Sequence, residues 1–507
     1  MTTSTSNVPA TAPRAEAATA VEAPPPPAPP APPGAARTAA ASMPPRTLWG
    51  RFIVLVLCLA VVLSTLAFGT VHLWALGFFQ AGAAVIVALW AVDAWRTGVL
   101  RVSRNVLQLP LVGLAAVGLV QLMPFAGGPL TMDPYATRFV LVQLVPLLIY
   151  FAAALAFIDT PGRLRTVART VVVFGFLLAV YGLMQHFINP ATIFWVREPK
   201  QAQPFGPYVN RHHFAGYMEL TLALPLGLLF SGAVAKERVP LYGFAALIMA
   251  IALVVTNSRG GVISMAAEIF FLAVVAFALK RRGSGGEGRA SRMKAAAAGV
   301  ALAFVMVFAV LLGSLYFGGE DALSRLVGTV NAADPTTGRA HFWRGTLQVI
   351  KDHPVLGVGL GAFADAYTRY DTGGGAYRLE QAHNDYLQIL SDAGIVGGLL
   401  GLIFVFALFR MALRRVQSRD KFRRGVALGA LSGCAGVLVH SFFDFTLHTA
   451  ANGLLFLLLA ALATAGPHVE EATEQRGRRR RRRRHHGSDE DTGAGDGTQE
   501  EPQQAAA

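Results

Sequence analysis

Apolar residues run in long blocks along most of this chain, separated by short polar stretches, and the blocks are too continuous for amphipathic helices on a soluble core. A helix crossing a bilayer needs roughly 20 mostly apolar residues, because only the helix itself satisfies its backbone groups there. Blocks of that kind fall at 49–69, 72–93, 106–123, 138–158, 166–187, 213–233, 239–256, 260–279, 295–317, 393–413, 425–445 and 449–466. No strand pattern of weight and no repeat of solenoid length accompanies them. The predicted fold class is an all-α polytopic membrane protein with about twelve transmembrane helices.

The polar stretches set boundaries and orientation. Residues 1–45 are rich in Ala, Pro, Ser and Thr and predict a disordered tail. A Pro-rich lead into a first span of full length argues for a retained anchor, not a cleaved signal. The membrane domain is predicted over 46–466 and a second disordered tail over 467–507. Cytoplasmic loops carry the excess of Lys and Arg. Arg96, Arg101 and Arg104, then Arg163 and Arg165, Lys236 and Arg238, Lys280 to Lys294, and Arg410 to Arg424 all fall on one side, which predicts that both termini are cytoplasmic. Three segments then lie on the outer side of the membrane, opposite the termini: 188–212, the Asn257–Gly261 turn and a long loop over 318–392. Within that loop a surface helix is predicted over 339–351, with Trp343, Leu347 and Ile350 on one face and Thr336 or Thr337 as cap.

Composition agrees: 53% of residues are hydrophobic and 15% charged, too apolar a balance for an ordinary soluble domain. The net charge of +14 does not signal nucleic acid, since much of it sits in Arg476 and Arg478 to Arg484 beside His485 and His486. Such a run reads as a solvated tail or a patch for anionic lipid headgroups. Cys58 and Cys434 lie inside predicted spans, so neither a disulfide framework nor a zinc site is expected.

The candidate chemistry gathers outside. Asn210, Arg211 and His213 open the sixth span, where interfacial anchoring and substrate contact are competing readings. Metal binding is a weaker third, because adjacent histidines on a helix diverge by about 100°. Arg259, followed by two glycines, can grip a phosphate with paired hydrogen bonds or simply snorkel from a short hairpin. The long loop carries Arg339, Trp343 and Arg344, a glycine cluster at 357–361, and His383 with Asn384. The cluster lacks the Gly-Lys-Ser/Thr of a phosphate loop and reads as a tight turn. His383 leads into the tenth span, as a helix-start residue or as a base for a hydroxyl. His440, Asp444 and His448 recur every four residues and are read as one helical face.

In order and spacing these elements resemble the O-antigen ligase and O-antigen polymerase family of bacterial membrane glycan transferases. That family's pattern has an Asn-Arg-Asn-His-like opening of a span, a Ser-Arg-Gly turn, and a periplasmic loop with Gly-Arg and a following Trp, His-Pro-Leu-Gly-Val-Gly, and His-Asn-x-Tyr-Leu. Here these are Asn210–His213, Ser258–Gly260, Gly338-Arg339 with Trp343, His353–Gly359, and His383–Leu387. The resemblance implies a GT-C-like fold and transfer of glycan from undecaprenyl diphosphate to an acceptor hydroxyl, with no cofactor and no metal. Arg259 and Arg339 would stabilise the departing diphosphate while His383 orients or deprotonates the acceptor. Arg211, His213, Asn210, Trp343, Arg344 and Asn384 would contact substrate. The acceptor would be another lipid-linked glycan, lipid A core or a protein hydroxyl, with membrane lipids as further partners. Two departures stand out: His212 occupies a place where Asn is expected, and Phe68–Trp74 lacks the carboxylate that metal-assisted glycosyltransferases place in a first outer loop. The alternative from another class is a flippase or transporter, which predicts polar groups near the midplane of broken helices.

Overall fold

The apolar blocks fold as helices in a computed structural model of the chain, which describes residues 47–125, 128–200, 202–283, 339–371 and 378–465. The helices are α1 (Leu48–Leu66), α2 (Leu73–Thr97), α3 (Gln108–Gln121), α4 (Pro134–Phe157), α5 (Pro161–Ile188), α6 (Arg211–Phe230), α7 (Val239–Val255) and α8 (Arg259–Gly283). After the undescribed 284–338 come α9 (Arg339–Asp352), α10 (Phe363–Tyr367), α11 (Asp385–Arg415), α12 (Lys421–His440) and α13 (Ala450–Thr464). The protein is an all-α polytopic membrane protein in which nine of the described helices are long and apolar enough to cross a membrane. The blocks at 106–123 and 449–466 form the shorter α3 and α13, while 295–317 and both tails lie outside the described residues.

Local chemistry sets the helix starts. Thr47, Asp133, Thr160, Asn210, Asn384 and Asp420 each accept a hydrogen bond from a first-turn backbone N–H, satisfying donors that the helix leaves open. Proline follows the cap in α4 and α5, where its missing N–H costs nothing.

The centre of the bundle is α6, whose apolar window is 89% buried, whereas that of α11 is 22% buried and faces outward. Its main partner is α12, which presents Gly425, Gly429 and Gly433 one turn apart. A Cβ on Gly429 would stand 2.4 Å from the Ala223 carbonyl oxygen, so only glycine lets the two backbones approach this closely. That contact carries the N-terminus of α6 and the C-terminus of α12 to the same end of the bundle. At the opposite end Arg101 bonds Asp93 at 3.2 Å, Asp159 pairs Arg163 at 2.8 Å, and Arg424 donates to the Ser231 carbonyl at 3.0 Å.

The segment after α9 wraps over the start of α11. Gln121 of α3 donates to the carbonyls of Leu356 and Asp392 and accepts from the Leu360 N–H, while the Gly361 N–H donates to the Asp392 carboxylate. Gly357 and Gly359 have φ of 71° and 117°, and a Cβ on Gly357 would collide with the Asp392 and Ala393 backbone. The glycine cluster is a turn packed on a helix, for this steric reason. Gly394, with φ of 61°, kinks α11 where it leaves this turn.

Two local expectations change. Along α9 the buried positions are Gly345, Thr346 and Val349, while Leu347 is exposed. Gly345 lies against Tyr367, so the helix turns its small residues inward. His440, Asp444 and His448 do not share a helical face, because α12 ends at His440 and the chain turns through Phe443 and Asp444 into a short 3-10 turn at Thr446–His448.

Candidate active site

A cavity of about 380 Å³ opens where α6 and α8 begin and α12 ends. Arg211, His212, Arg259, Arg339 and Asp444 line it, together with Asn257, Ser258, Gly260, His440 and Phe443. Three guanidiniums from separate segments thus meet one space. Ser258 lies at the start of α8, where its hydroxyl accepts from the Gly261 N–H at 3.3 Å and pairs with His212 Nδ1 at 2.9 Å. Asn257 takes φ of 53°, a left-handed turn that aims the first turn of α8 at the cavity. The N-terminal end of a long helix adds partial positive charge to that of the arginines. Gly260 and Gly261 permit this placement: a Cβ at 260 would come within 2.9 Å of the His440 ring, and one at 261 within 3.0 Å of Ala215.

Asp444 ties the cavity wall together. Its Oδ1 accepts from the Phe445 N–H at 2.9 Å and from His383 Nδ1 at 3.2 Å; its Oδ2 lies 3.5 Å from the Arg339 guanidinium and 3.8 Å from His212. Burial alone would raise this carboxyl, but the His383 hydrogen bond and the electrostatic attraction of His212, His383 and Arg339 outweigh it and hold it well below the usual carboxylate range. An ionised carboxylate can only accept, so Nδ1 of His383 carries the proton and Nε2 is left as the acceptor. Phe445 packs edge-on at 4.9 Å and Phe342 lies parallel at 6.5 Å, fixing the ring plane. His383 has φ of 51°, a strained backbone of the kind that surrounding structure maintains at functional sites.

The other residues singled out from the sequence take varied places. Asn210 caps α6 and Asn384 caps α11, the latter also donating to the Phe442 carbonyl at 3.2 Å. Trp343 donates its indole N–H to the carbonyl of Ala382, next to His383, at 3.1 Å. His213 is buried against Phe445 at 5.1 Å, and its carbonyl accepts from Asn452. Arg344 is exposed and does not line the cavity.

Asp444 carries more of this geometry than its place in the sequence suggested. Beneath the cavity, His440 Nδ1 meets Glu219 of α6 at 2.7 Å with both side chains fully buried, and Glu268 of α8 is buried with neither carboxyl oxygen bonded. A lone Glu within each apolar block was the available signal, since intramembrane carboxyls are costly and selected for use. Among the described residues no group of three His, Cys, Asp or Glu side chains is placed to hold a metal ion.

No curated protein matches the chain. Residues 244–402 match the model of a family described as O-antigen ligase, a stretch that includes Arg259, Arg339 and His383. Residues 244–402 of this multi-pass membrane protein are thus similar to the O-antigen ligase family.

Proposed function

We propose that the protein transfers glycan from an undecaprenyl-diphosphate-linked donor to an acceptor hydroxyl at the periplasmic face of the inner membrane. The observation that carries this reading is the convergence of Arg211, Arg259 and Arg339 on one cavity whose wall also holds the Asp444 partner of His383. A diphosphate needs that density of donors, and guanidiniums grip phosphate oxygens with paired hydrogen bonds. The bond between the sugar's anomeric carbon and the phosphate oxygen breaks, with its electron pair leaving on the diphosphate, where the arginines stabilise the charge. The acceptor oxygen bonds to the anomeric carbon as its proton passes to His383 Nε2, and Asp444 balances the imidazolium formed. Asn210, Trp343 and Asn384 act as positioning residues in this scheme.

The deciding experiment reconstitutes the purified full chain in liposomes with lipid-linked donor and acceptor extracted from the source bacterium. Wild type is expected to release lipid diphosphate and extend the acceptor. His383→Ala is expected to lose a factor of about 10² to 10⁴ in turnover while still binding donor. Full activity of that variant contradicts the scheme. Glu219 and Glu268 favour a second reading, movement of the lipid-linked glycan across the membrane, because transporters bury such groups within their spans. Donor crossing from one leaflet to the other without acceptor modification supports that alternative.

A further inference from the structure

A second cavity of about 390 Å³ adjoins the first and shares Arg211 and Asn257 with it. Its other walls come from the end of α5, the 189–210 segment and the end of α7. The chemistry changes sharply across the shared residues. On the first side are three arginines and His212; on the second, Arg211 is the only lysine or arginine among the described lining residues, and Glu198 and Gln203 appear instead. His186 lies nearly parallel to Phe205 at 5.3 Å, and both rings line the space.

The wall is built in advance of any ligand. Gln185, fully buried, donates to the carbonyls of Asn189, Pro190 and Thr192 and accepts from the Gly206 N–H. The Arg211 N–H donates to the Gln203 carbonyl at 2.9 Å, fastening the segment to the first turn of α6. Small-molecule sites have this form: a preformed hollow of about 300–1,000 Å³ with flat rings and a few convergent polar groups.

We propose that this second cavity is a carbohydrate subsite that seats a pyranose ring next to the diphosphate site. A carboxylate and a carboxamide match sugar hydroxyls, the first as acceptor and the second as both donor and acceptor. The half-buried His186 ring, backed by the buried Phe205, offers a flat face for the ring's C–H side. Glu198 disfavours a second phosphate by like-charge repulsion, and covering Glu198 and Gln203 with an isoprenoid tail would strip them of hydrogen-bond partners. The inference rests on the proposed donor chemistry, since a sugar joined to a diphosphate must lie beside it. The same ring chemistry is offered by the donor's lipid-proximal sugar and by the acceptor's terminal sugar.

The test uses the full chain in liposomes, with the lipid-linked donor and the acceptor extracted from the source bacterium and titrated separately. Glu198→Gln combined with Gln203→Ala changes exposed side chains, so the fold is retained. The expected result is a KM raised about fivefold or more for one substrate, with kcat within twofold. A rise for the donor assigns the subsite to the donor sugar, and a rise for the acceptor assigns it to the acceptor. If neither KM moves by twofold, or only kcat falls, the subsite is refuted, while intact wild-type transfer leaves the donor chemistry standing. Absence of transfer by wild type overturns both. Should the double variant fail to accumulate, the wild-type protein's affinity for undecaprenyl diphosphate with and without an attached N-acetylglucosamine gives the answer. Tighter binding of the sugar-bearing lipid, or of the acceptor over the same acceptor stripped of its terminal sugar, supports the subsite, and equal binding in both comparisons refutes it.

Discussion

Nδ1 of His383 lies 3.2 Å from Oδ1 of Asp444, a contact that joins the start of α11 to the turn beyond α12 across 61 residues. The carboxylate selects the imidazole tautomer whose Nε2 accepts. Asp444→Asn keeps the shape but removes that selection, because an amide can donate as well as accept. Turnover is expected to fall by about 10² to 10⁴ with donor affinity changed far less. Single-turnover transfer by the purified variant measures this, and a variant within threefold of wild type removes the pairing from the mechanism.

The same carboxyl predicts a pH-dependent stability. An unfolded aspartate titrates near 3.9, and the folded Asp444 lies lower because its hydrogen bond and neighbouring charges outweigh burial. Its contribution is therefore complete above about pH 5 and is lost as pH falls through 3.9 toward the folded value, where the unfolded chain binds more protons. Wild type should melt above Asp444→Asn at pH 7, and the gap should narrow by pH 3. A gap that stays constant over that range contradicts the assignment.

Arg259 and Arg339 line one cavity from segments 80 residues apart, in keeping with a grip on two ends of a diphosphate. Lysine keeps the charge but not the paired hydrogen bonds. Each Arg→Lys change is expected to weaken binding of a geranylgeranyl diphosphate probe by roughly tenfold to a hundredfold, the scale of losing one charge-assisted bond of ~1.5–3 kcal/mol. Titration calorimetry in detergent checks it, and unchanged affinity in both variants removes them from the diphosphate site.

Gly260 offers a structural test of how Arg259 is placed. An added methyl would meet the His440 ring at 2.9 Å and Phe443 Cβ at 3.0 Å, both on the backbone-close side of the cavity. Overpacking of this kind costs about 1–3 kcal/mol, and relief requires the first turn of α8 to move. Gly260→Ala should lower the melting temperature and impair transfer together. Impaired transfer with an unchanged melting temperature points to a direct role for the backbone at 260 instead.

Topology has its own check. The Ser231–Arg238 connection is expected in the cytoplasm, and the Asn257 turn, with residues 339–371, in the periplasm. Alkaline phosphatase joined after residue 235 should be inactive and after residue 360 active. The reverse pattern inverts the protein and puts the cavity on the wrong side for a periplasmic acceptor.

The apolar blocks by themselves determined the helices, because nothing but a helix satisfies its own backbone in lipid over such lengths. Arg259 before two glycines and His383 before Asn384 were legible for a related reason: polar groups at the edges of such blocks are few. Three other features came only with the tertiary structure. Asp444 was read on a helical face with His440 and His448, yet α12 ends at His440, and the turn that follows carries the carboxylate to His383 instead. Glu219 and Glu268 drew no reading from the sequence, and it is the packing of α6, α8 and α12 that sets Glu219 against His440. The inward face of α9 went to Gly345 and Val349 because Tyr367 fills the space beside the glycine. A sequence displays spacing along one chain, whereas a pairing across 61 or 221 residues depends on where helices end and how closely their glycines let them approach.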